Sequence, residues 1–233
     1  MIPKIIHYCW FGRNPKPQKV IEYIETWKKF CPDYEIKEWN EDNFDVNMMP
    51  YTREAYKMKR FAFVSDVCRM YALAKFGGIY FDTDIEVKRS FDKLLSLPSF
   101  LGKEMPFKLS TAVIGAEPHV RWVKAFLSTY ESKHFIWSSG KLNTLENTAL
   151  LTTFFNQNYP KYYDEVTIFE IDYFSAKLYS NNEYNITENT YSVHHFSGSW
   201  LKRHSLMKRL QAFSYRYFFT NQSNWFLGRK SHI

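Results

Sequence analysis

The sequence has few of the features that mark secreted, zinc-binding or membrane-spanning proteins. Only three cysteines, Cys9, Cys31 and Cys68, occur in 233 residues, and their spacing fits neither a disulfide framework nor a zinc site. The chain does not open on a basic segment followed by an apolar one, and no apolar run approaches the ~20 residues that cross a bilayer. These absences predict a protein of a reducing compartment, expected to be the cytoplasm, without a membrane-spanning segment.

Acidic residues are absent from residues 201–233, although the formal net charge of the whole chain is +7. The basic residues of this segment are Lys202, Arg203, Lys208, Arg209, Arg216, Arg229 and Lys230. They account for the whole excess, so residues 1–200 are formally neutral. The sequence therefore predicts a main domain over residues 1–200 and a basic C-terminal segment over residues 201–233. Basic residues gathered at one end, with aromatics at periodic positions elsewhere, argue against a nucleic-acid partner.

The basic segment also carries an apolar stripe at helical spacing. Its members are Leu206, Leu210, Phe213 and Tyr217. A basic amphipathic helix of this kind can lie in the interface of an anionic membrane, which predicts a peripheral contact with the inner face of a membrane. The competing interpretation is that the stripe packs on the main domain and the charges are solvated.

Residues 3–87 alternate between strand and helix patterns. "PKIIHYCW", "YEIKEW" and "GIYFD" have the β-branched and aromatic composition of strands. Helical spacing is typical of "PKPQKVIEYIETWKKF" and of residues 58–76, which end at Gly77 and Gly78. This alternation predicts an α/β protein with a Rossmann-like, mostly parallel sheet flanked by helices, whose ligands bind at the carboxyl ends of the strands. Residues 96–191 are less regular, and we expect two or three helices there.

Two acids follow the third predicted strand. Asp82 and Asp84 come directly after the apolar run that begins at the glycine pair. At a strand end the chain can turn so that both carboxylates face one divalent cation and its anionic ligand. A bare D-x-D is common by chance, and alone it indicates a solvated turn. The preceding helix, however, carries Asp66 and Arg69 three residues apart, so that both can face the same place.

Three blocks of the sequence resemble a known family. They are "IPKIIHYCWFG", "RFAFVSDVCRMYALAKFGGIYFDTDIEV" and "HHFSGSW". In this order they are similar to the DXD-containing sugar transferases of glycosyltransferase family 32, which include capsular polysaccharide and yeast mannosyl transferases. They are also distantly similar to the clostridial glucosylating toxins. The resemblance implies a glycosyltransferase A fold, a nucleotide-sugar donor, expected to be a UDP-sugar, Mn²⁺ or Mg²⁺ as cofactor, and retention of anomeric configuration.

The first two blocks supply most of the expected donor site. By resemblance, Trp10 stacks on the donor base, while Ser65 and Asp66 bond the base or ribose. Arg69 contacts the phosphates or the donor sugar, and a salt bridge to Asp66 is its structural alternative. Asp82 binds sugar or ribose hydroxyls and belongs to the shell of the metal, and Asp84 ligates the metal directly.

The third block supplies the expected remainder of the metal site. Adjacent histidines point in opposite directions on an extended segment, so at most one of His194 and His195 faces the ion. By resemblance we expect this to be His195, because it lies five residues before Trp200, where related enzymes place a metal ligand, although the toxins carry an acid at the corresponding place. Trp200 is expected to close over the diphosphate.

The predicted activity is that of a retaining hexosyltransferase. Metal and Arg69 would stabilise the departing diphosphate, and front-face attack of the acceptor hydroxyl is favoured over a covalent glycosyl intermediate. The acceptor is expected to be a glycan, in particular a lipid-linked oligosaccharide of bacterial surface polysaccharide, with Thr111, Glu117 and Asn147 as weak candidates for lining its pocket. A nucleic-acid-binding protein and a catalytically inactive sugar-binding protein are the alternatives.

Overall fold

The computed structural model describes residues 1–177 and 183–198. The strands are β1 (Ile5–Cys9), β2 (Glu35–Trp39), β3 (Gly78–Phe81), β4 (Ile85–Val87), β5 (Ser99–Met105), β6 (Lys108–Ala116), β7 (Thr167–Phe169) and β8 (Ser192–His194). The helices are α1 (Gln18–Phe30), α2 (Pro50–Lys57), α3 (Phe61–Phe76), α4 (Arg121–Ser128), α5 (Asn147–Tyr162) and α6 (Ile171–Phe174), with a short 3-10 turn at Asp92–Leu94. Within these residues no helix is long and apolar enough to cross a bilayer.

Six of the strands form one sheet in the order β2-β1-β3-β6-β5-β7. β1 pairs in parallel with β2 and β3, and β5 pairs in parallel with β7. β6 lies antiparallel between β3 and β5, so it alone opposes the direction of the other five. β4 and β8 form a separate antiparallel pair. The predicted α/β architecture with a mostly parallel sheet is confirmed.

The first half of the chain follows the sequence patterns closely. The apolar stripe of α1 buries Tyr23, Ile24 and Trp27, and the Trp27 indole donates to the Ile85 carbonyl at 2.7 Å. α3 ends at Gly77 (φ 64°), followed by Gly78 (φ 99°). A Cβ at Gly78 would lie 2.6 Å from the Ile5 carbonyl oxygen, so the pair allows β3 to start directly beside β1.

The second half differs from the prediction in one respect. Helices α4, α5 and α6 are present, as expected, but the long hairpin of β5 and β6 was not predicted. β6 is buried at every position from Leu109 to Ala116, so its residues show no alternation of apolar and polar types. A short continuous apolar run of this kind is compatible with a buried strand or a helix, and only its pairing settles which.

Apolar residues fill both faces of the sheet. One cluster packs α2, α3, α4 and α5 against one face. The other packs α1, the 3-10 turn and α6, together with β4, against the opposite face. Met1–Ser197 form one compact unit. The predicted boundary at residues 200 and 201, and the segment beyond it, lie outside the described residues.

Candidate active site

The carboxyl end of β3 is where the predicted acids meet residues from distant parts of the chain. The Asp82 N–H donates to the Ala112 carbonyl at 2.8 Å and the Ile85 N–H donates to the Asp82 carbonyl at 3.1 Å, which turns the chain into β4. β4 then pairs with β8 in a register that sets Ile85 opposite His194. The turn and this register bring His194 to the two acids.

Asp82, Asp84 and His194 form a group with metal-binding potential. One ligand atom from each lies within 4.8 Å of the others. His194 Nε2 is 3.3 Å from Asp84 Oδ1, while Asp84 Oδ2 accepts hydrogen bonds from the Ser197 N–H (2.8 Å) and hydroxyl (2.9 Å). Two ligands of one divalent cation, each about 2.0–2.6 Å from it, can be up to ~5 Å apart. The three residues therefore fit a divalent cation.

The electrostatics of the group show a tightly coupled acid and base. Burial acts to raise the pKa of Asp84, but the charge of His194 and the hydrogen bonds from His194 and Ser197 outweigh it, so the pKa lies well below its usual range. Burial acts to lower the pKa of His194, yet Asp84, then Asp82 and Glu104, raise it above its ordinary value. Negative charge thus dominates this corner, as a cation site requires.

The structure places His194, and not the predicted His195, beside the two acids. The two imidazoles do point in opposite directions, as β8 requires. His195 Nε2 lies 2.9 Å from Glu86 Oε2, and its ring stacks on Tyr23 with centroids 4.7 Å apart. Only the His195 backbone meets the acids, where its N–H donates to the Asp84 carbonyl at 3.0 Å. Sequence alone gave no means of choosing between two neighbouring histidines.

Arg69 organises the other half of the site. Its Nη2 is 2.9 Å from Asp66 Oδ1 and 3.3 Å from Asp82 Oδ1, and its Nη1 donates to the Thr111 carbonyl at 2.7 Å. The guanidinium lies over the Tyr80 ring, 4.6 Å from its centroid, and the Tyr80 hydroxyl donates to Asp82 Oδ1 at 2.9 Å. We call Asp66, Arg69, Tyr80 and Asp82 the arginine network. Tyr80 was not predicted, and its place two residues before Asp82 was the available signal.

Burial controls the charges of this network. The Arg69 side chain is only 6% exposed. Burial acts to lower the pKa of Arg69, but Asp82, Tyr80 and Asp66 raise it above its usual value. For Asp66, burial and the charge of Asp82 raise the pKa to about 6, against the opposing effects of Arg69 and the Asn147 amide. Asp66 is thus a buried acid whose charge Arg69 only partly stabilises.

Two other predicted donor residues lie close to this site but bond within the protein. The Ser65 hydroxyl donates to the Phe61 carbonyl one turn earlier at 3.2 Å. Trp10 follows β1 directly, is half-buried, and donates from its indole to the Asn14 carbonyl at 2.7 Å. Their roles toward a nucleotide base stay predictions. Trp200 lies outside the described residues.

The three weak candidates for the acceptor pocket lie in different places relative to the site. Asn147 is the first residue of α5, is buried, accepts from the Tyr130 hydroxyl at 3.0 Å and acts on Asp66. Thr111 meets the site through its carbonyl. Glu117 follows the far end of β6, where it pairs with the amino group of Met1, so its place at this pocket is wrong. Glu104, which acts electrostatically on His194 from β5, was not predicted, because it belongs to the unrecognised hairpin.

Comparison with known proteins agrees with this geometry. Residues 17–101 match the family model described as "Glycosyltransferase sugar-binding region containing DXD motif". The chain is 31% identical to "Inositol phosphoceramide mannosyltransferase 3" of Schizosaccharomyces pombe, over 49% of this chain and 33% of that protein. It is 29% identical to "Mannosyl phosphorylinositol ceramide synthase SUR1" of Saccharomyces cerevisiae, over 58% of this chain and 37% of that protein. The solved structure of "PaToxG Glycosyltransferase" superposes with a TM-score of 0.55 at 20% identity, over 68% of this chain and 70% of that one.

The structural match establishes the fold of the chain. The fold is the glycosyltransferase A fold, as the resemblance implied. The region that matches the family model runs from the start of α1 into β5 and includes Asp66, Arg69, Asp82 and Asp84. The two curated relatives are fungal, and nothing in them points to a capsular polysaccharide enzyme. The chain spans about a third of the length of these relatives.

Proposed function

We propose that this protein is a metal-dependent glycosyltransferase that moves a sugar from a nucleoside-diphosphate sugar to a hydroxyl of a glycan or glycolipid acceptor. The observation that carries the proposal is the meeting of Asp82, Asp84 and His194 beside the arginine network. One half of this arrangement suits a divalent cation, and the other presents a buried guanidinium and carboxylates suited to anionic oxygens and sugar hydroxyls.

Asp82, Asp84 and His194 would hold Mn²⁺ or Mg²⁺. When bound, the ion neutralises charge on the departing diphosphate. Arg69 would add a fixed positive charge from the opposite side, held in place by Asp66 and by the Thr111 carbonyl. Asp66 and Asp82 would accept hydrogen bonds from sugar hydroxyls.

The base of the donor would lie toward the end of β1. Trp10 offers an indole face next to this edge of the sheet, and Ser65 begins the turn of α3 that carries Asp66 and Arg69. UDP is the expected nucleotide. Trp200 is expected to cover the diphosphate.

We propose that the transfer retains the anomeric configuration of the donor. Asp66 and Asp82 are both tied to Arg69, which suits them to bind hydroxyls and not to attack the sugar. In a front-face reaction the bond from sugar to diphosphate breaks while the acceptor oxygen bonds to the same face, and the diphosphate takes the hydroxyl proton. An α-linked donor should then give an α-glycoside, and a β-anomeric coupling in the NMR spectrum of the product would contradict this.

The acceptor class follows from two considerations. The names of the two fungal relatives specify inositol phosphoceramide or its mannosylated product, which favours a glycolipid and mannose as one sugar to test. A lipid-linked oligosaccharide of bacterial surface polysaccharide is the second candidate. Both acceptors reside in membranes, so a peripheral location of the enzyme suits either.

The basic segment of residues 201–233 would provide the membrane contact. It carries the whole excess of positive charge, and about 1 kcal/mol per basic residue is available at an anionic surface. The full-length protein should sediment with anionic liposomes at low salt, and truncation after Trp200 should abolish this. Because 0.5 M salt shortens the reach of charges to roughly 4 Å, binding should weaken strongly there. Full-length protein that stays in the supernatant at low salt would exclude the contact.

A panel assay tests the activity directly. UDP-glucose, UDP-galactose and GDP-mannose are incubated with the protein and Mn²⁺, and sugar release is measured with and without a chelator. At least one donor should be hydrolysed with Mn²⁺ only. Stabilisation by UDP and Mn²⁺ without turnover of any donor would favour an inactive sugar-binding protein, and stabilisation by a short oligonucleotide instead would favour nucleic-acid binding.

A further inference from the structure

The two nitrogens of the His194 imidazole are in different situations. Nε2 faces Asp84 Oδ1 at 3.3 Å. Nδ1 is buried and has no hydrogen-bond partner among the residues that the structure describes. A histidine that ligates a metal through one nitrogen nearly always donates the N–H of its other nitrogen to a carboxylate, a carbonyl or a water, which fixes the tautomer and the ring orientation. The partner of Nδ1 is therefore a missing part of the site.

Glu104 is the carboxylate placed to fill this role. It belongs to β5, in the hairpin whose other strand runs beside β3 and the acids. Its side chain is only 8% exposed, and Glu104 and His194 act electrostatically on each other. Burial raises the pKa of Glu104, against the opposing charges of Lys108 and His194. Burying the Glu104 carboxylate costs solvation free energy. An ion pair with a purely structural role would avoid this cost by lying at the surface.

Lys108 holds Glu104 in position. Its Nζ lies 2.9 Å from Glu104 Oε1 and 2.7 Å from Glu146 Oε2, and its side chain is 16% exposed. Glu146 directly precedes α5, so Lys108 ties the hairpin to the start of that helix. Glu146 acts on Glu104 but is not among the main groups that act on His194. The two carboxylates therefore share Lys108 and differ in their relation to His194.

We propose that Glu104 is the positioning residue of His194, accepting the Nδ1–H through one bridging water and so holding Nε2 toward Asp84 and the ion. The inference rests on the proposed metal site and adds a residue to it. Glu104 does not touch the ion. It selects the imidazole tautomer that offers a free Nε2, and Lys108 keeps its carboxylate from turning away.

The first experiment measures the affinity of the full chain for Mn²⁺ alone, by electron paramagnetic resonance of the free ion. Glu104→Gln keeps the shape of the side chain and removes its charge, and it should weaken Mn²⁺ binding by about 10–100-fold. Glu146→Gln removes the other partner of Lys108 and is the matched control, which should bind within threefold of wild type. Glu104→Asp retains a carboxylate and should recover most of the loss.

The second experiment reads the tautomer of His194. In a long-range ¹H–¹⁵N spectrum with Mg²⁺ as a diamagnetic ion, wild type should show the Nδ1–H form and Glu104→Gln a mixture of forms. A structural role alone would not change this signal. If Glu104→Gln does not fold, the affinity and the spectrum of Glu104→Asp carry the test, and a mixture of forms with Mn²⁺ binding weakened more than tenfold would overturn the proposal.

The remaining outcomes separate the inference from the proposed function. Wild type that binds no Mn²⁺ overturns the metal site and the role of Glu104 together. Wild type that binds Mn²⁺ while Glu104→Gln binds it equally well overturns the role of Glu104 only. Equal losses in Glu104→Gln and Glu146→Gln would also overturn it, because the effect would then come from the Lys108 link.

Discussion

The two halves of the site differ in how complete they are. In the arginine network, the guanidinium of Arg69 bonds Asp66, Asp82 and a carbonyl, and Tyr80 adds a fourth contact. In the metal corner, Asp84 and His194 are coupled, but His194 Nδ1 has no partner among the described residues. Asp82 belongs to both halves. The contacts within the protein complete the arginine network, whereas the corner formed by Asp84 and His194 lacks one such contact.

Because of this difference, substitutions in the two halves should affect different properties of the protein. A buried ion pair costs desolvation, and removing one member leaves the other as an uncompensated charge. Changes in the arginine network should therefore affect folding as well as activity. Changes of Asp84 or His194 would remove a ligand of the proposed ion, so they should affect activity and metal affinity first.

The largest effect is expected from Asp84→Asn. The substitution removes an anionic ligand while the amide can still accept from Ser197, so turnover should fall by roughly 100-fold or more with the fold retained. Donor hydrolysis at saturating Mn²⁺ and far-UV circular dichroism give the two readings. Turnover above a tenth of the wild-type value would contradict the assignment of Asp84.

Arg69→Met should instead reduce stability. Asp66 and Asp82 would lose the cation between them, at a cost of about 3–5 kcal/mol in the free energy of unfolding measured with urea. The control is Arg121→Met, because Arg121 pairs with Glu165 but has a side chain that is 62% exposed. An exposed pair is worth about 0–1 kcal/mol. If both variants lost the same free energy of unfolding, the arginine network would not contribute more to stability than an exposed ion pair.

The sequence predicted the first half of the chain better than the second for a physical reason. α1, α3 and their neighbouring strands carry local signals: apolar spacing, a proline entry and the Gly77–Gly78 stop. β6 carries no such signal, because both its faces are buried and one of its two pairing partners, β3, is distant in sequence. Glu104 could not be related to His194 before that pairing was known.

The site shows the same limit at the level of single residues. Asp66, Arg69, Asp82 and Asp84 stand next to recognisable patterns, and the structure brings all four together. The choice between His194 and His195 depends on the register of β8 against β4, which joins residues more than a hundred positions apart. A pattern can show that one histidine of the pair faces the acids, but only the register shows which.

The buried acid Asp66 allows the stability of the arginine network to be followed by pH. Its pKa is about 6 in the fold, raised first by burial, against an ordinary value of 3.8. Between these pH values Asp66 is ionised in the unfolded chain and protonated in the native fold. Rising pH therefore lowers the free energy of unfolding, by on the order of 3 kcal/mol in total. The stability advantage of wild type over Asp66→Asn should therefore shrink from pH 4 to pH 6.5 in urea titrations. Parallel curves for the two proteins would show that Asp66 is already ionised in the fold.

The adjacent histidines give the most local test, because it compares two neighbouring residues at the end of one strand. His194→Asn removes the nitrogen that lies 3.3 Å from Asp84 Oδ1, and it should weaken Mn²⁺ binding by about 100-fold. His195→Asn breaks the contact with Glu86 and the stacking on Tyr23 while leaving the backbone bond to Asp84, so binding should change by less than about threefold. Both variants carry the same replacement on the same strand, and both are measured by electron paramagnetic resonance of free Mn²⁺. The reverse order of effects would restore His195 as the ligand. Equal changes in Mn²⁺ affinity would show that neither imidazole has a specific role, and that the paired backbones of β4 and β8 position the site.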